Sequence, residues 1–170
     1  MTLEELNRLS SADARSTLER CCGARAWVER MRLRRPFADR AALFAAAEHA
    51  TEALVRSDWL EAFSHHPRIG DRESLRARFA ATAAWAAEEQ RGAGAASEEV
   101  LAGLERGNRA YEARFGYGFI VCATGRSADE MLAILTARLE NDPDLELAIA
   151  AQEQRAITRL RLEKLLSEGG

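Results

Sequence analysis

The residue types best suited to acid–base chemistry lie at residues 65–71, where the sequence reads His-His-Pro-Arg-Ile-Gly-Asp. Pro67 cannot continue a helix and disfavours helical backbone at His66. Two of the chain's 3 histidines lie at this break. An imidazole held at a rigid corner could transfer protons, because histidine titrates near neutral pH. The alternative is a histidine that ends a helix and interacts favourably with the helix dipole.

A second candidate is an arginine in the last predicted helix. Ile157, Arg161 and Leu165 are spaced four apart and therefore share a helix face. Arg161 interrupts this apolar row, and its planar guanidinium could bind a carboxylate or a ureide. A buried structural ion pair, or an aliphatic stem at the edge of the core, would explain the same position. A separate charged row is expected to be solvated and contains Arg155, Arg159 and Glu163.

A third polar group ends the helix that we expect over about 72–90. Glu89 follows Trp85 by four residues, so its carboxylate leaves the helix beside an aromatic ring. Gln90 lies on the face of Ala86. Together the carboxylate and the amide could bind a polar ligand. The alternative is a helix-end pair that binds its own backbone or water.

The segment between Gly118 and Gly125 is apolar and non-helical, and residues 119–122 are the only β-like run. Backbone N–H groups outside a helix need other partners. This segment could therefore bind a small ligand rich in carbonyl groups, or it could be an extended connector in the core. Cys122 is expected to be a buried thiol, and His49, in the middle of a helix, a structural or surface residue.

Composition restricts the class of protein. The chain has 170 residues, of which 47% are hydrophobic and 30% charged, which predicts one globular domain over residues 1–170. The net charge is -3 without a basic stripe, so we expect no nucleic-acid partner. No apolar run approaches the length of a membrane span, and no signal peptide is expected. The 3 cysteines are a poor disulfide framework and favour a reducing, cytoplasmic location.

Helix caps and apolar spacing predict an all-α fold of about eight or nine helices with a long C-terminal helix. Thr2–Glu5 and Ser127–Glu130 are capping boxes, and Ser11 and Asp39 could also cap helices. The expected helices run from Thr2 to about 9, then over about 12–21, 24–33, 40–56, 58–63, 72–90, 97–115, 127–140 and 143–166.

These segments together resemble a known family, 2-oxo-4-hydroxy-4-carboxy-5-ureidoimidazoline (OHCU) decarboxylase. The resemblance extends over about residues 3 to 166. The matching motifs are His66-Pro67-Arg-Ile-Gly70, Glu89-Gln90, Phe115-Gly-Tyr-Gly-Phe-Ile-Val-Cys-Ala-Thr-Gly125 and Arg159-Leu-Arg-Leu162. Shorter supporting motifs are Cys-Cys-Gly at 21–23, Arg-Pro-Phe at 35–37 and Asp58-Trp-Leu-Glu-Ala-Phe63.

The resemblance implies an all-α homodimer, with no metal or organic cofactor, that decarboxylates the ureidoimidazoline to (S)-allantoin in urate degradation. It implies that His66 and Glu89 are catalytic. The implied substrate-binding residues are Pro67, Ala86, Ala87, Glu88, Glu89, Gln90, Phe119, Ile120, Val121, Cys122, Ala123 and Arg161. One departure is Ala86, where the family often has serine, so that a hydroxyl contact is missing or is replaced by water.

Two other functions are compatible with the residues alone. A non-enzymatic helical interaction module predicts that His66, Glu89 and Arg161 are scattered rather than gathered in one concavity. A hydrolase of a related ureide would use His66 to activate water. The resemblance favours the decarboxylase over both.

Overall fold

The structure is a computed structural model, and it describes residues 1–66 and 97–167. Within these ranges there are eight helices and no strand. They are α1 (Leu3–Arg8), α2 (Ser11–Glu19), α3 (Arg25–Arg34), α4 (Arg40–Glu52), α5 (Arg56–Ser64), α6 (Glu98–Phe115), α7 (Ala128–Arg138) and α8 (Pro143–Ser167). The predicted all-α fold with a long C-terminal helix is confirmed. The helix expected over about 72–90 lies outside the described residues.

Most helices begin where the sequence places a cap. Thr2 and Ser127 each form the predicted capping box, and Asp39 accepts a hydrogen bond from the backbone N–H of Ala42 at 2.7 Å. One cap was misplaced by a residue. Ser10, and not Ser11, accepts the N–H of Asp13 at 3.1 Å, so that Ser11 is the first residue of α2.

The helix expected over 40–56 is too long, because α4 ends before residues 53–55 and a separate helix, α5, follows them. α4 ends at Glu52, and the N–H of Leu54 turns back to the carbonyl of Thr51 at 3.1 Å. The carboxylate of Asp58 then accepts the N–H of Val55 at 3.1 Å. This side chain satisfies a free donor at the start of α5, which stabilises a new helix rather than an extension of α4.

The described residues fall into two compact units. The first contains residues 1–66, 120–122 and 149–167. Its centre is α3, which packs against α2, α4 and α5. Trp27 of α3 is fully buried, and its indole N–H donates to the carbonyl of Ala47 in α4 at 3.2 Å. Other fully buried side chains of this unit are Leu6, Leu18, Met31, Leu43 and Leu162.

The second unit contains residues 97–119 and 123–148, in which α6 packs against α7. The two helices approach closely at Gly107, where an added Cβ would lie 2.6 Å from Cδ2 of Leu135. Gly116 directly follows α6, and its φ of 80° lies in the left-handed region. Glycine adopts this conformation without steric cost, so it stops the helix here.

A buried charged cluster lies in the second unit. Glu146 is fully buried, and it accepts hydrogen bonds from Arg138 Nε at 2.7 Å, from Asn141 Nδ2 at 2.7 Å and from the Tyr111 hydroxyl. Burial, together with this hydrogen bond to Glu146, raises the pKa of Tyr111. The guanidinium of Arg138 lies 4.8 Å from the centre of the Phe119 ring. Phe119 therefore lies against a guanidinium that is itself bound by the side chains of Glu146 and Tyr111.

No helix in the described part of the chain has the length and apolar character needed to cross a membrane.

Candidate functional site

His66 directly follows the last turn of α5. The N–H groups of His65 and His66 bond the carbonyls of Ala62 and Phe63 at 3.3 and 3.1 Å, so that the helix tightens as it ends. Nε2 of the half-buried His66 lies 2.5 Å from Oε1 of Gln154 in α8. The imidazole therefore bonds a side chain that is far away in sequence. A histidine that only interacts with the dipole of its own helix would not require such a partner.

The neighbouring His65 is exposed, but its ring is not unconstrained. A Cβ added to Gly23 would lie 2.3 Å from Cγ of His65. Real Cβ atoms do not approach other atoms so closely, so the ring occupies the space that a side chain at position 23 would need. His49 is exposed on α4, as expected for a surface residue.

Gln154 belongs to a buried row on α8. Ala150, Gln154, Thr158 and Leu162 are spaced four apart and are between 0% and 5% exposed. Nε2 of Gln154 donates to Oγ1 of Thr158 at 3.1 Å. Two polar side chains thus occupy the centre of an apolar row, and each has a partner, as burial of polar groups requires.

The row continues to a buried thiol. Cys22 is 2% exposed, and burial raises the pKa of its thiol, which hydrogen bonds from the Ala24 backbone and the Thr158 side chain partly oppose. Cys21 is equally buried, and burial raises its pKa to about 11. Both cysteines are free. Because thiols react as thiolates, these two groups are unreactive at neutral pH.

The segment 119–122 is not a strand. Ile120 and Val121 are buried, and the N–H of Cys122 donates to Oε2 of Glu153 in α8 at 2.7 Å. A side chain of a helix thus satisfies this donor, where a neighbouring strand would do so in a sheet. Cys122 itself is half-buried, so its expected burial is wrong.

Arg161 is half-buried on α8, seven residues after Gln154. Seven residues are two turns, so the two side chains share one face and lie about 10 Å apart along the helix axis. Nη1 of Arg161 lies 3.3 Å from the carbonyl of Arg20 and 3.5 Å from that of Cys21, at the end of α2. No carboxylate in the described ranges forms an ion pair with Arg161, which disfavours the structural ion-pair interpretation.

The charged row expected to be solvated does face outward. Arg155 pairs with Glu48 of α4, and Arg159 pairs with Glu163 at 3.2 Å while its guanidinium lies 4.9 Å from the ring centre of Phe44. Arg161 differs from both, because it contacts backbone carbonyls.

α8 therefore gathers three of the predicted groups in the first unit: His66 through Gln154, the 120–122 backbone through Glu153, and Arg161 directly. Phe119 and the half-buried Ala123 belong to the second unit. The remaining predicted site residues lie outside the described residues: Pro67, Ala86, Ala87, Glu88, Glu89 and Gln90. Among the described residues, no group of three His, Cys, Asp or Glu side chains could hold a metal ion.

The sequence of this chain matches the family model described as OHCU decarboxylase over residues 7–163. The chain belongs to the OHCU decarboxylase family. The family predicted from the motifs is therefore confirmed, over almost the whole chain.

Individual relatives of this OHCU decarboxylase family member agree with the match. The uric acid degradation bifunctional protein TTL of Arabidopsis thaliana is 38% identical over 150 residues, which are 87% of this chain and 46% of that protein. The chain thus spans about half the length of the Arabidopsis protein. The 2-oxo-4-hydroxy-4-carboxy-5-ureidoimidazoline decarboxylase of Haloferax volcanii is 27% identical over 168 residues, which are 98% of this chain and 97% of that protein.

A solved structure supports the fold. The crystal structure of OHCU decarboxylase in the presence of (S)-allantoin is 38% identical in sequence and has a TM-score of 0.70. The alignment covers 88% of this chain and 96% of that chain.

Sequence reasoning missed Glu153 and Gln154, the two adjacent residues that bind the Cys122 backbone and the His66 ring. A signal for Gln154 was available, because it lies four residues after Ala150 and four before Thr158 on one face. Reading α8 from Ile157 instead favoured a neighbouring row that is only half-buried. Glu153 carries no such signal, since a glutamate beside a buried row is ordinary on a helix surface.

Proposed function

We propose that this protein converts OHCU to (S)-allantoin, by loss of CO2 and protonation of the neighbouring ring carbon, which carries the ureido group. The observation that carries the proposal is the match to the OHCU decarboxylase family over residues 7–163. Two further findings support it: a similar protein was crystallised in the presence of (S)-allantoin, and the Arabidopsis relative is named for uric acid degradation. The reaction would be the last enzymatic step from urate to allantoin.

The chemistry explains what the protein must supply. Breaking the bond to the carboxylate leaves an electron pair on the ring carbon, and the neighbouring C=N bond of the imidazoline can accept it. The substrate therefore contains its own electron sink. The protein has to hold the breaking bond out of the ring plane and stabilise the charge that spreads onto ring nitrogen and oxygen. The product of this step is an enol. Its hydroxyl must then lose a proton to become the ring carbonyl of allantoin, and a proton must be delivered to one face of the ureido-bearing carbon.

The roles follow from chemical type. We assign His66 to the carboxylate and its geminal hydroxyl, as acid, base and orienting group. Arg161 and Gln90 would bind ring or carbonyl oxygens, and Glu89 the ureido N–H groups. The fixed position of His66 against α8, and the placement of Arg161 on the same helix face as Gln154, support this assignment.

The 119–123 segment would add backbone donors, with one correction to the expected set. The N–H of Cys122 already donates to the carboxylate of Glu153, so Cys122 is left out of the substrate-binding donors. Its role in the proposal is to anchor the segment on α8. The proposed donors are then the N–H groups of Phe119, Val121 and Ala123.

We also propose a single domain that works as a homodimer in the cytoplasm. The resemblance to the family supports the dimer, and the buried free thiols of Cys21 and Cys22 support a reducing compartment. Light scattering after gel filtration tests the dimer, since one chain has a mass of 18.8 kDa and the expected particle has twice that mass. A particle with the mass of one chain would contradict it.

The activity is tested on freshly generated substrate, because OHCU decays in water. Urate is oxidised and hydrolysed enzymatically in the cuvette, the protein is added, and circular dichroism follows chirality while CO2 and ammonia are measured. We expect rapid formation of the S enantiomer with one CO2 per substrate, against slow racemic decay without protein. Ammonia release or ring hydrolysis would instead support a ureide hydrolase, and an unchanged decay would contradict any enzymatic role on this compound.

A further inference from the structure

The contact between His66 and Gln154 defines which imidazole nitrogen carries hydrogen. An amide oxygen only accepts hydrogen bonds, and Oε1 of Gln154 lies 2.5 Å from Nε2 of His66. Nε2 must therefore be the protonated nitrogen. The amide is 1% exposed, so water does not compete for this bond on the Gln154 side.

The orientation of the amide is itself determined by its neighbours. Nε2 of Gln154 donates to Oγ1 of Thr158 at 3.1 Å. The amide nitrogen of Gln154 therefore faces Thr158, and the amide oxygen faces His66. The bonds from His66 through Gln154 to Thr158 have one consistent direction.

We propose that Gln154 is a positioning residue that holds neutral His66 as the Nε2–H tautomer and fixes its ring for the reaction. An amide oxygen accepts the hydrogen of Nε2 but is too weak a base to take it. The role in the reaction rests on the proposed function, whereas the tautomer does not.

The direct test is nitrogen NMR of the full chain labelled with ¹⁵N-histidine. The chain has only 3 histidines, and His66→Asn assigns the signals of His66. In the native protein above the titration of His66, we expect Nε2 to be protonated and Nδ1 unprotonated. The opposite tautomer would overturn the proposal without any variant being made.

Two variants test the cause. Gln154→Met keeps the length of the side chain and removes the acceptor, and Thr158→Val keeps the shape and removes the hydroxyl that orients the amide. We expect a mixture of tautomers in each. The matched control is Gln152→Met, an exposed glutamine on the same helix, which should leave the native spectrum. If Gln154→Met does not fold, the native spectrum and Thr158→Val still decide.

Activity separates this proposal from the proposed function. We expect Gln154→Met to lower kcat about 10- to 100-fold with KM little changed, as when other residues that orient a histidine are removed. If His66→Asn keeps the native rate, the catalytic role of His66 is wrong, but the tautomer result still stands. An unchanged tautomer in Gln154→Met would reject the positioning role whatever the activity.

Discussion

The site as described depends on side chains that reach across large distances in sequence. His66 follows α5, yet the partner of its imidazole, Gln154, is on α8. Arg161, which is also on α8, contacts the carbonyl of Arg20 just after the end of α2. The sequence alone indicated the chemical type of each group, because a histidine before a proline and an arginine in an apolar row are both unusual. Their partners were not indicated, since nothing local relates residue 66 to residue 154.

Replacing His66 by Asn should lower kcat by about 10²–10⁴, because that range is typical for the loss of a general acid or base. Circular dichroism of allantoin formation measures the rate, and far-ultraviolet circular dichroism checks folding. His49→Asn is the control, since His49 is exposed on α4. A folded His66→Asn protein with the native rate would show that the imidazole takes no part.

Replacing Arg161 by Ala should raise KM by about 10- to 100-fold, the effect of losing a hydrogen bond to a charged group. Unfolding by heat should change little, because the polar contacts of Arg161 among the described residues are two carbonyls, both at 3.3 Å or more. Arg161→Lys should recover part of the affinity, because it keeps the charge and loses the planar fork. Arg155→Ala is the control. A variant that cannot fold would instead assign Arg161 to the structure.

At the scale of helices, prediction worked where the determining interaction is local. Thr2, Asp39 and Ser127 cap the helices they were expected to cap, because each binds a backbone N–H within three residues. The break between α4 and α5 was predicted near residue 57 but lies after Glu52. Asp58, the side chain that favours the earlier break, follows it in sequence and competes with a good helix-forming sequence. Helix ends that depend on such competition are not fixed by propensity alone.

The buried cluster of α6, α7 and α8 should be the most sensitive polar group of the second unit. Glu146→Gln removes the carboxylate that pairs with Arg138, which is 7% exposed, and should lower the free energy of unfolding by about 3–5 kcal/mol. Urea unfolding measures the change. Glu163→Gln, which breaks the exposed pair with Arg159, should cost less than about 1 kcal/mol. Equal losses in both variants would mean that burial does not matter here.

At the scale of the whole molecule, the sequence predicted the class of fold and the family but not which faces are buried. Counting apolar residues placed Ile157 and Leu165 inward, whereas the buried row of α8 contains Gln154 and Thr158. A polar side chain can be buried in the core only if a hydrogen-bond partner lies within reach. Tertiary packing decides whether such a partner is present, and the periodicity of the sequence does not show this.

The acid stability of the molecule should depend in part on Glu29, which joins α2 to α3. Hydrogen bonds from Arg15, then from Arg32, lower the pKa of Glu29 to about 2. Because the pKa of Glu29 in the folded protein lies below the ordinary glutamate pKa of 4.5, the stabilisation is present above about pH 4.5 and is lost as the pH falls towards 2. Urea unfolding of Glu29→Gln should be less pH-dependent in this window than that of the native protein.

Glu52 is an exposed residue of α4, and Glu52→Gln changes the net charge by the same amount, so this variant serves as the comparison. If both variants keep the native slope of stability against pH, the bridge between α2 and α3 contributes nothing measurable.

The missing side chain at position 23 has a practical consequence for anyone who wishes to redesign this protein. Because the ring of His65 fills that space, even one methyl group there must displace the residue next to the imidazole at 66. Position 23 is therefore a site, outside the reactive groups themselves, where a substitution would move His65 and so disturb the segment that carries the imidazole of His66.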